Sequence, residues 1–383
     1  MRIALIGNGF APGKTGGTEN YFRTLVDALQ RDDRENSYTV FVEEQFVGEF
    51  KTTDRFDVQA LPVPSKTARV GARISSTFRP GGHPANPRAV KAIERGGYDL
   101  AHFPLQVMHP WGIRIPKVLT FPDMQHEFFP ENFSARTLRA RRESYGPSAK
   151  LADHIIAISD YTKHTLEMRY GLPPEKITTV YVPYDDHVFR RVAPRADLGL
   201  PAKFFFYPAG TWRHKNHARL LSALAIARQS HPDLSLVLTG VSGEDAAIDS
   251  LVAELGLKEH VVRLGYVAQD VMPHIYSAAV GLVFPSLFEG FGIPLCEAMA
   301  CGCPIAASTA TCIPEVAGEA AVYFDPTDPA SIATGMLSLI DKPELARRLA
   351  DIGLKRAPMF RKSVLGTRTI DVYRRVARSR AAA

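Results

Sequence analysis

The sequence predicts an α/β protein with two Rossmann-like domains that face each other across an interdomain cleft. Strand-like apolar runs alternate with helical patterns along the chain, which is typical of βαβ units and parallel sheets. A chain of 383 residues is too long for one ordinary core and suits two domains of roughly 180 residues each. Residues 183–202 are rich in Pro, Asp and Arg and have no clear period, so we expect the interdomain linker there.

Six apolar runs predict the strands of a first domain, which we place at residues 1–185. Between the first two runs, residues 18–30 carry apolar side chains at helical spacing, which predicts an amphipathic helix with Thr18 as its N-cap. The six predicted strands are Ile3–Ile6, Tyr38–Val42, Leu100–Phe103, Val118–Phe121, Ile155–Ile158 and Thr178–Val182.

Five further apolar runs predict a second domain at residues 203–362. A helical pattern near Val364–Arg378 follows it. Doubly wound sheets bind ligands outside the carboxyl ends of their strands, so two facing domains of this kind would bring two substrates together. The five predicted strands are Phe204–Tyr207, Ser235–Leu238, Val261–Leu264, Val280–Phe284 and Ile305–Ala307.

Composition excludes several protein classes. Hydrophobic residues make up 45% and charged residues 22% of the chain, which is typical of a soluble globular protein. No window approaches the length of apolar sequence that a membrane span needs, and the first apolar run is too short for a secretion signal. We therefore expect a cytoplasmic protein.

The four cysteines, Cys296, Cys301, Cys303 and Cys312, are close together in sequence. Only one residue separates Cys301 from Cys303, which is not the usual spacing of zinc ligands, and no histidine follows nearby. The pattern favours reduced thiols in the protein core over a metal site.

The net charge of +6 is unevenly distributed. One hypothesis is that the basic runs form solvated faces; the other is that they meet an anionic membrane surface or a lipid-diphosphate acceptor. Nucleic acid is disfavoured as a partner, because the basic residues lack both a recognisable binding motif and an aromatic stacking pattern. The basic residues concerned are Lys66, Arg69, Arg73, Arg79, Arg88 and Lys91, then Arg136, Arg139, Arg141 and Arg142, and finally Arg374, Arg375, Arg378 and Arg380.

The most informative stretch runs from Phe284 to Pro304. Its glycines break a buried strand and open a helix, whose exposed amides bind anions, phosphate above all. Glu289 and Glu297 lie eight positions apart around this turn, and carboxylates accept pairs of hydrogen bonds from sugar hydroxyls. A sugar nucleotide offers both a diphosphate and sugar hydroxyls. Taken alone, Glu297 has an alternative role, because a glutamate in the first turn of a helix is stabilised by the helix dipole.

This stretch reads Pro-Ser…Glu-Gly-Phe-Gly-Ile-Pro…Glu-Ala-Met-Ala-Cys-Gly-Cys-Pro and resembles the glutamate-x7-glutamate signature of GT-B glycosyltransferases of family 4, the retaining group 1 transferases. The resemblance covers nearly the whole chain. It implies the GT-B fold, with the terminal helix, residues 363–380, packing back on the first domain. It places Glu289 at the donor sugar and Glu297 at the ribose. It also implies that the intervening turn binds the donor; this turn consists of Gly290, Phe291, Gly292 and Ile293.

The glycine-rich segment from Gly7 to Gly17 is not a Walker loop. Gly9 and Gly13 enclose three residues, whereas the phosphate-loop pattern requires four before Gly-Lys-Thr. The segment resembles the first loop of the family 4 transferases, which implies that Gly16 and Gly17 approach the donor phosphates. The alternative is a flexible glycine turn.

A cationic loop follows the first strand of the second domain. Arg213 and Lys215 could neutralise a departing diphosphate. Lys215 resembles the lysine of the family in this loop, with Arg213 as a substitute for a family arginine; the alternative is a surface cation pair. By the same resemblance, Tyr266 and Val267 lie beside the nucleobase.

Pro122 stands where relatives often place a histidine that contacts the donor sugar. Asp123 and His126 are the nearest polar candidates for that role. His126 is close in sequence to two phenylalanines, so it is equally a candidate for a packing histidine.

The resemblance implies a retaining glycosyltransferase that moves a hexose from a nucleotide-diphosphate sugar, with GDP- or UDP-sugars favoured. The acceptor would be a hydroxyl of a saccharide or of a polyprenyl-diphosphate-linked sugar in bacterial surface polysaccharide assembly, in the cytoplasm or on the inner face of the plasma membrane. We expect neither a cofactor nor a metal ion. The alternative is a catalytically weak GT-B protein that binds nucleotide sugars, because the family histidine is missing. The sequence leaves the sugar, the base and the acceptor open.

Overall fold

The computed structural model describes residues 1–13, 17–62, 86–240, 243 and 245–381. Two compact units divide the chain. The first comprises Met1–Val182 together with the C-terminal segment from Lys362, and the second comprises Pro183–Arg361.

The first unit contains a parallel sheet in the order β3-β2-β1-β4-β5-β6-β7. In the register of the central strand, Ile3 pairs with Tyr38 on one side and with Leu100 on the other. The strands are β1 (Arg2–Ile6), β2 (Ser37–Val42), β3 (Phe56–Ala60), β4 (Leu100–Phe103), β5 (Lys117–Phe121), β6 (His154–Ala157) and β7 (Ile177–Thr179). The α-helices are α1 (Gly17–Asp32), α2 (Pro87–Arg95), α3 (Gln125–Phe128), α4 (Ala135–Leu151) and α5 (Asp160–Tyr170).

The second unit contains another parallel sheet, in the order β10-β9-β8-β11-β12-β13. Its strands are β8 (Phe204–Pro208), β9 (Ser235–Thr239), β10 (Val261–Arg263), β11 (Gly281–Phe284), β12 (Ile305–Ser308) and β13 (Ala321–Phe324). Its α-helices are α6 (His217–Ala227), α7 (Asp245–Glu254), α8 (Met272–Ala278), α9 (Ile293–Cys301), α10 (Ile313–Ala317), α11 (Pro329–Asp341) and α12 (Pro343–Arg356). The chain continues into α13 (Lys362–Ala381).

All eleven predicted strands are present, with small shifts at their ends. The prediction missed β3 and β13, both of which lie at the edge of a sheet. β3 is largely solvent-facing, and only Phe56 in it is fully buried. β3 therefore lacks the continuous apolar run that reveals a strand buried on both faces.

The helix α13 packs against α1 within the first unit. Tyr373 of α13 is fully buried, and its hydroxyl lies 2.6 Å from Nδ1 of His102. Nε2 of His102 contacts the hydroxyl of Thr120 at 2.8 Å, and Thr120 is in turn 3.1 Å from the hydroxyl of Tyr21. Burial lowers the pKa of His102 to about 3, so this imidazole is neutral. A chain of uncharged, paired polar groups thus joins α13 to the sheet and to α1.

Residues 183–202, where the linker was expected, are part of the second unit. The Tyr184 amide donates to the Phe360 carbonyl at 3.1 Å, and His274 Nδ1 lies 2.8 Å from the Ala193 carbonyl. The Val192 amide contacts the Ser277 hydroxyl at 3.4 Å. These bonds tie the segment to the body of the second unit, although its composition is typical of a linker.

Gly240 follows β9 with a φ of +132° and approaches the loop that follows β8. A Cβ at this position would lie 2.7 Å from main-chain atoms of both Ala209 and Gly210. The Gly240 amide also donates to the Gly265 carbonyl at 3.0 Å. Only glycine combines this φ with this approach, and the contact sets the position of the loop after β8.

Replacing Gly240 by alanine should lower the free energy of unfolding by about 2–4 kcal/mol, because strain at φ adds to a main-chain clash. The matched control is Gly256→Ala, where φ is +67° and a Cβ meets nothing within 4 Å; there we expect a loss of about 1 kcal/mol. Urea unfolding measures both. Equal losses in the two variants would contradict the clash.

Candidate active site

The helix N-terminus predicted after β11 is present. Gly292 adopts a φ of +101° and precedes α9, and Pro294 lies in the first turn of the helix. The Leu295 amide donates to the Gly292 carbonyl at 3.0 Å, and α9 ends at Gly302 with a φ of +67°. The turn therefore requires glycine at Gly292, and it presents the first amides of α9 at the carboxyl end of β11.

Lys215 and Glu289 form an ion pair, with Nζ donating to Oε1 at 2.7 Å. The residues are far apart in sequence. They meet because β8 and β11 are neighbours in the sheet, and each residue lies in the loop after one of these strands. The side chains are 20% and 11% exposed respectively, so the pair is partly shielded from water yet open to a ligand.

Main-chain and tyrosine contacts hold these two loops together. The Tyr207 hydroxyl donates to the Lys215 carbonyl at 2.9 Å and lies 3.0 Å from the Ser286 hydroxyl. The Leu287 amide donates to the His214 carbonyl at 2.8 Å. Burial raises the pKa of Tyr207 far above its ordinary value, so the phenol stays protonated and keeps donating.

Asn216 completes the joint between the loops. It takes a left-handed conformation with a φ of 65° immediately before α6, a region that asparagine tolerates better than most residues. Its Nδ2 donates to the carbonyls of Pro285, at 3.0 Å, and Pro326, at 2.7 Å. One buried amide thus connects the loops after β8, β11 and β13.

The backbone of Glu289 is also held in place. Its amide donates to the Thr311 hydroxyl at 3.1 Å, and the Cys312 thiol donates to the carbonyls of Glu289 and Phe291 at 3.2 and 3.1 Å. Burial raises the pKa of Cys312, so the sulfur remains a thiol. All four cysteines are buried and free, which confirms the prediction of core thiols.

Glu297 lies on α9 and has a different partner from Glu289. The Tyr276 hydroxyl, from α8, donates to Oε2 of Glu297 at 2.8 Å. Burial raises the pKa of this carboxyl from 4.5 to about 7, and the hydrogen bond from Tyr276 opposes that shift. Near neutral pH the Glu297 side chain is therefore divided between acid and carboxylate.

The remaining predicted donor residues lie at the same edge of the second sheet. Arg213 is exposed in the turn that contains Lys215. Tyr266 follows β10 and is 86% exposed, next to Val267. The Phe291 side chain is instead buried, with its ring centre 5.6 Å from that of Phe360. Of Phe291, only the main chain is positioned to contact a ligand, because its ring packs inward.

In the first unit, Gly17 is the first residue of α1, and Gly16 lies outside the described residues. Gly13 donates its amide to the Glu19 carboxylate at 2.7 Å, which ties the preceding loop to that helix. Asp123 follows β5, and its carboxylate accepts from the Gln125 amide at 2.9 Å. Gly17 and Asp123 therefore belong to the carboxyl edge of the first sheet.

His126 lies on α3 and is fully buried. Its ring meets that of Tyr145 edge-on, with centres 5.0 Å apart, and Nε2 is 3.3 Å from Oε1 of Glu127. Burial lowers the pKa of His126 to about 4, and the charges of Arg141 and Arg142 contribute to this shift. This environment favours the packing role over contact with a donor sugar.

The site combines a cation, a carboxylate and a helix N-terminus at one edge of the second sheet. Such a combination neutralises a diphosphate and accepts hydrogen bonds from hydroxyls. A model of the glycosyl transferases group 1 family matches residues 195–356, which contain this site, and a model of glycosyltransferase family 4 matches residues 15–188. The chain belongs to the family 4, group 1 glycosyltransferases.

Relatives of this glycosyltransferase include O-antigen chain mannosyltransferase B of Escherichia coli, 30% identical over 67% of this chain and 70% of that protein. O-antigen chain mannosyltransferase RfbU of Salmonella typhimurium is 25% identical over 61% of this chain and 63% of that protein. For the MMP alpha-(1->4)-mannosyltransferase of Mycolicibacterium hassiacum the identity is 28% over 59% of this chain, and the match spans 54% of that relative.

Solved structures confirm the GT-B fold. Sucrose-phosphate synthase from Thermosynechococcus elongatus superposes with a TM-score of 0.76 at 21% identity, covering 99% of this chain and 100% of that one. HepE from Anabaena, solved in complex with UDP and glucose, gives a TM-score of 0.73 at 19% identity over 97% of this chain and 99% of that one.

The basic runs are only partly described. Lys66, Arg69, Arg73 and Arg79 lie outside the described residues, whereas Arg88 and Lys91 lie on α2. In the part of the chain that the structure describes, every helix is too short or too polar to cross a bilayer.

A double-mutant cycle on Lys215→Met and Glu289→Gln should give a coupling energy of about 1–2 kcal/mol, above that of exposed pairs, because both side chains are largely buried. The control cycle uses Arg139 and Glu143, an exposed pair on α4, for which we expect about 0.3–0.5 kcal/mol. Urea unfolding supplies the four free energies of each cycle. Equal coupling in the two cycles would show that shielding adds nothing.

Glu297 should make the stability of the protein depend on pH. Since its folded pKa of about 7 exceeds the ordinary 4.5, the folded state binds more protons between these values, and stability falls as the pH rises through this window. Glu297→Gln removes this penalty and keeps the acceptor for Tyr276. The variant should therefore gain stability over the wild type at pH 8 but little at pH 5. Thermal unfolding at both pH values tests this, with the exposed Glu259→Gln as the control; a gain that is independent of pH argues against the assignment.

Proposed function

We propose that this glycosyltransferase moves a hexose from a nucleotide-diphosphate sugar to a hydroxyl of a saccharide or lipid-linked acceptor, with retention of the anomeric configuration. The observation that carries the proposal is the Lys215–Glu289 ion pair beside the N-terminus of α9. The Lys215 ammonium provides a cation for the diphosphate, and the Glu289 carboxylate provides an acceptor for the sugar hydroxyls. These two groups are hydrogen-bonded to each other.

The diphosphate gains negative charge as its bond to the anomeric carbon breaks. Lys215 and the amides at the start of α9 are placed to stabilise that charge, and Arg213 lies on the same turn as Lys215. Glu289 holds the Lys215 ammonium in this region. The hydrogen bond orients the cation, which lowers the cost of positioning it during the reaction.

Glu289 would accept hydrogen bonds from hydroxyls of the hexose, and Glu297 from hydroxyls of the ribose. Tyr276 occupies Oε2 of Glu297, so Oε1 is the atom assigned to the ribose. Main-chain atoms near Tyr266 and Val267 would contact the base. Since Glu297 is uncharged in part at neutral pH, we expect donor binding to favour its carboxylate form.

A protein nucleophile is unnecessary in this proposal. The acceptor hydroxyl attacks on the face from which the diphosphate leaves, and a phosphate oxygen takes the hydroxyl proton as the new glycosidic bond forms. The cations of the second unit hold the diphosphate in place for both events. The reaction thus uses the substrate as its own base.

GDP-mannose or another GDP- or UDP-hexose is the proposed donor, and the proposed pathway is surface polysaccharide assembly at the inner face of the plasma membrane. The names of the relatives describe mannosyltransferases, which supports GDP-mannose as the donor. Two of these names include the O-antigen, which supports surface polysaccharide assembly. HepE is solved in complex with UDP, which supports a nucleotide-containing donor.

A second candidate function is that of a catalytically weak protein that binds nucleotide sugars. Pro122 occupies the place of the family histidine, and His126, the nearest histidine, is fully buried. On this alternative the second unit binds donor while the transfer step is slow.

Donor identity and turnover test the proposal together. We expect one nucleotide sugar among GDP-, UDP-, dTDP- and ADP-sugars to raise the melting temperature, and the same donor to glycosylate a saccharide acceptor with retention, seen by NMR of the product. Glu289→Ala should lower the transfer rate by at least about 100-fold because an interaction with the reacting sugar is lost. Its circular dichroism spectrum should match that of the wild type.

Glu259→Ala, an exposed glutamate of the same unit, is the control and should keep full activity. Full activity of Glu289→Ala would overturn the assignment of the sugar site. Tight donor binding by the wild type with neither transfer nor hydrolysis would favour the binding protein.

A further inference from the structure

We propose that the first unit carries a second binding site, for a phosphoryl group, at the amino-terminal edge of its sheet. A cavity of about 640 Å³ opens there, beneath α13. Cationic side chains from three separate segments of the chain line it: Arg114 before β5, Lys176 before β7, and Arg375 from α13. Its volume is in the range of small-molecule sites.

The cavity is separate from the candidate donor-binding residues of the first unit. Pro116, His154 and Lys176 line it at the starts of β5, β6 and β7. Asp123 lies after β5, at the opposite edge of the same sheet. Parallel strands separate their two ends by their full length, so this cavity serves a different ligand from that of the carboxyl edge.

Its charge balance favours an anion. The lining contains two acidic residues, Asp153 and Glu175, beside its three cationic ones. Asp153 is already paired with the Lys117 ammonium at 2.8 Å. Lys176 makes its hydrogen bond to the Lys150 carbonyl, at 2.8 Å, and forms no salt bridge with any residue that the structure describes. Burial lowers the pKa of Lys176; the Asp153 carboxylate opposes this shift, and the Lys117 ammonium adds to it. A bound anion would relieve this cost.

Arg375 is held in a defined orientation. Its Nη1 donates to the Thr178 hydroxyl at 3.1 Å, and that hydroxyl lies 2.8 Å from Nε2 of His154. Burial lowers the pKa of His154 to about 4, with Arg375 and Lys176 contributing, so the imidazole that contacts Thr178 is neutral. The hydrogen bonds from Arg375 to Thr178 and from Thr178 to His154 therefore orient the guanidinium at the cavity.

Arg375 also lines a neighbouring cavity of about 450 Å³, together with Arg374, Arg378 and Asp371 of the same helix. Arg374 is paired with Glu35 at 2.9 Å. Arg378 is therefore the further cation that this second cavity offers to an anion beside Arg375. The planar guanidinium of arginine can bind a phosphoryl group through two parallel hydrogen bonds. The ligand we infer is a phosphate or diphosphate, either free or as the headgroup of an anionic lipid.

Pyrophosphate and phosphatidylglycerol vesicles are the two probes, applied to the full chain and followed by hydrogen–deuterium exchange of peptides that contain Thr178 or Arg375. We expect saturable protection of these peptides by at least one probe. The double variant Lys176→Gln/Arg375→Gln should raise the midpoint, which is the probe concentration that gives half-maximal protection, at least about tenfold. The reason is that charge-assisted hydrogen bonds to phosphate are lost. Peptides around Lys215 report binding at the active site separately.

Two further variants complete the test. Lys342→Gln/Arg348→Gln removes the same charges from exposed positions of the second unit and should leave the midpoint unchanged. Arg114→Gln should raise it several-fold even if the double variant misfolds, because Arg114 is anchored to Glu94 through its main-chain amide, which the substitution keeps. Protection by pyrophosphate alone identifies a free phosphate as the ligand; protection by phosphatidylglycerol but not phosphatidylcholine vesicles identifies a headgroup. Absence of protection with both probes, or protection that survives in both variants, overturns the proposal.

Discussion

Parallel pairing of the strands is the constraint on which both candidate sites depend. It places the carboxyl ends of all strands, with the residues that follow them, at one edge of the sheet. The amino ends of the strands, with the residues that precede them, lie at the other edge. Lys215 and Glu289 meet because their loops follow adjacent strands. At the amino-terminal edge of the first sheet, Lys176, just before β7, and His154, the first residue of β6, line one cavity for the same reason. Each sheet thus brings polar side chains from distant sequence positions into one cluster.

Buried polar groups give the active-site loops their fixed geometry. Tyr207 and Asn216 bond to main-chain carbonyls of neighbouring loops, and breaking such a bond would leave a buried polar group without a partner. The same shielding from water strengthens the Lys215–Glu289 pair and raises the pKa of Glu297. Rigidity and altered acidity in this site therefore have one cause, the exclusion of water by the packed strands around it.

The helix α13 has two roles in the first unit. Its buried face contributes Tyr373 to the polar chain that runs through His102 and Thr120. Its exposed side supplies Arg375 and Arg378 to the cationic cavities. A segment that ends the chain in sequence therefore completes the core of the first unit, and a truncation there would remove both packing and charge.

The sequence by itself determined the two α/β units, eleven strands, the glycine turn at Gly292 and the pair of glutamates, because these depend on local periodicity and on residue types at fixed spacing. Only the tertiary structure revealed that Lys215 binds Glu289, that Tyr276 binds Glu297, and that His126 is buried. Strand order decides which loops become neighbours, and burial decides which polar side chains reach a ligand. Neither property can be read from one segment of the chain, because both arise from contacts between segments that are far apart in sequence.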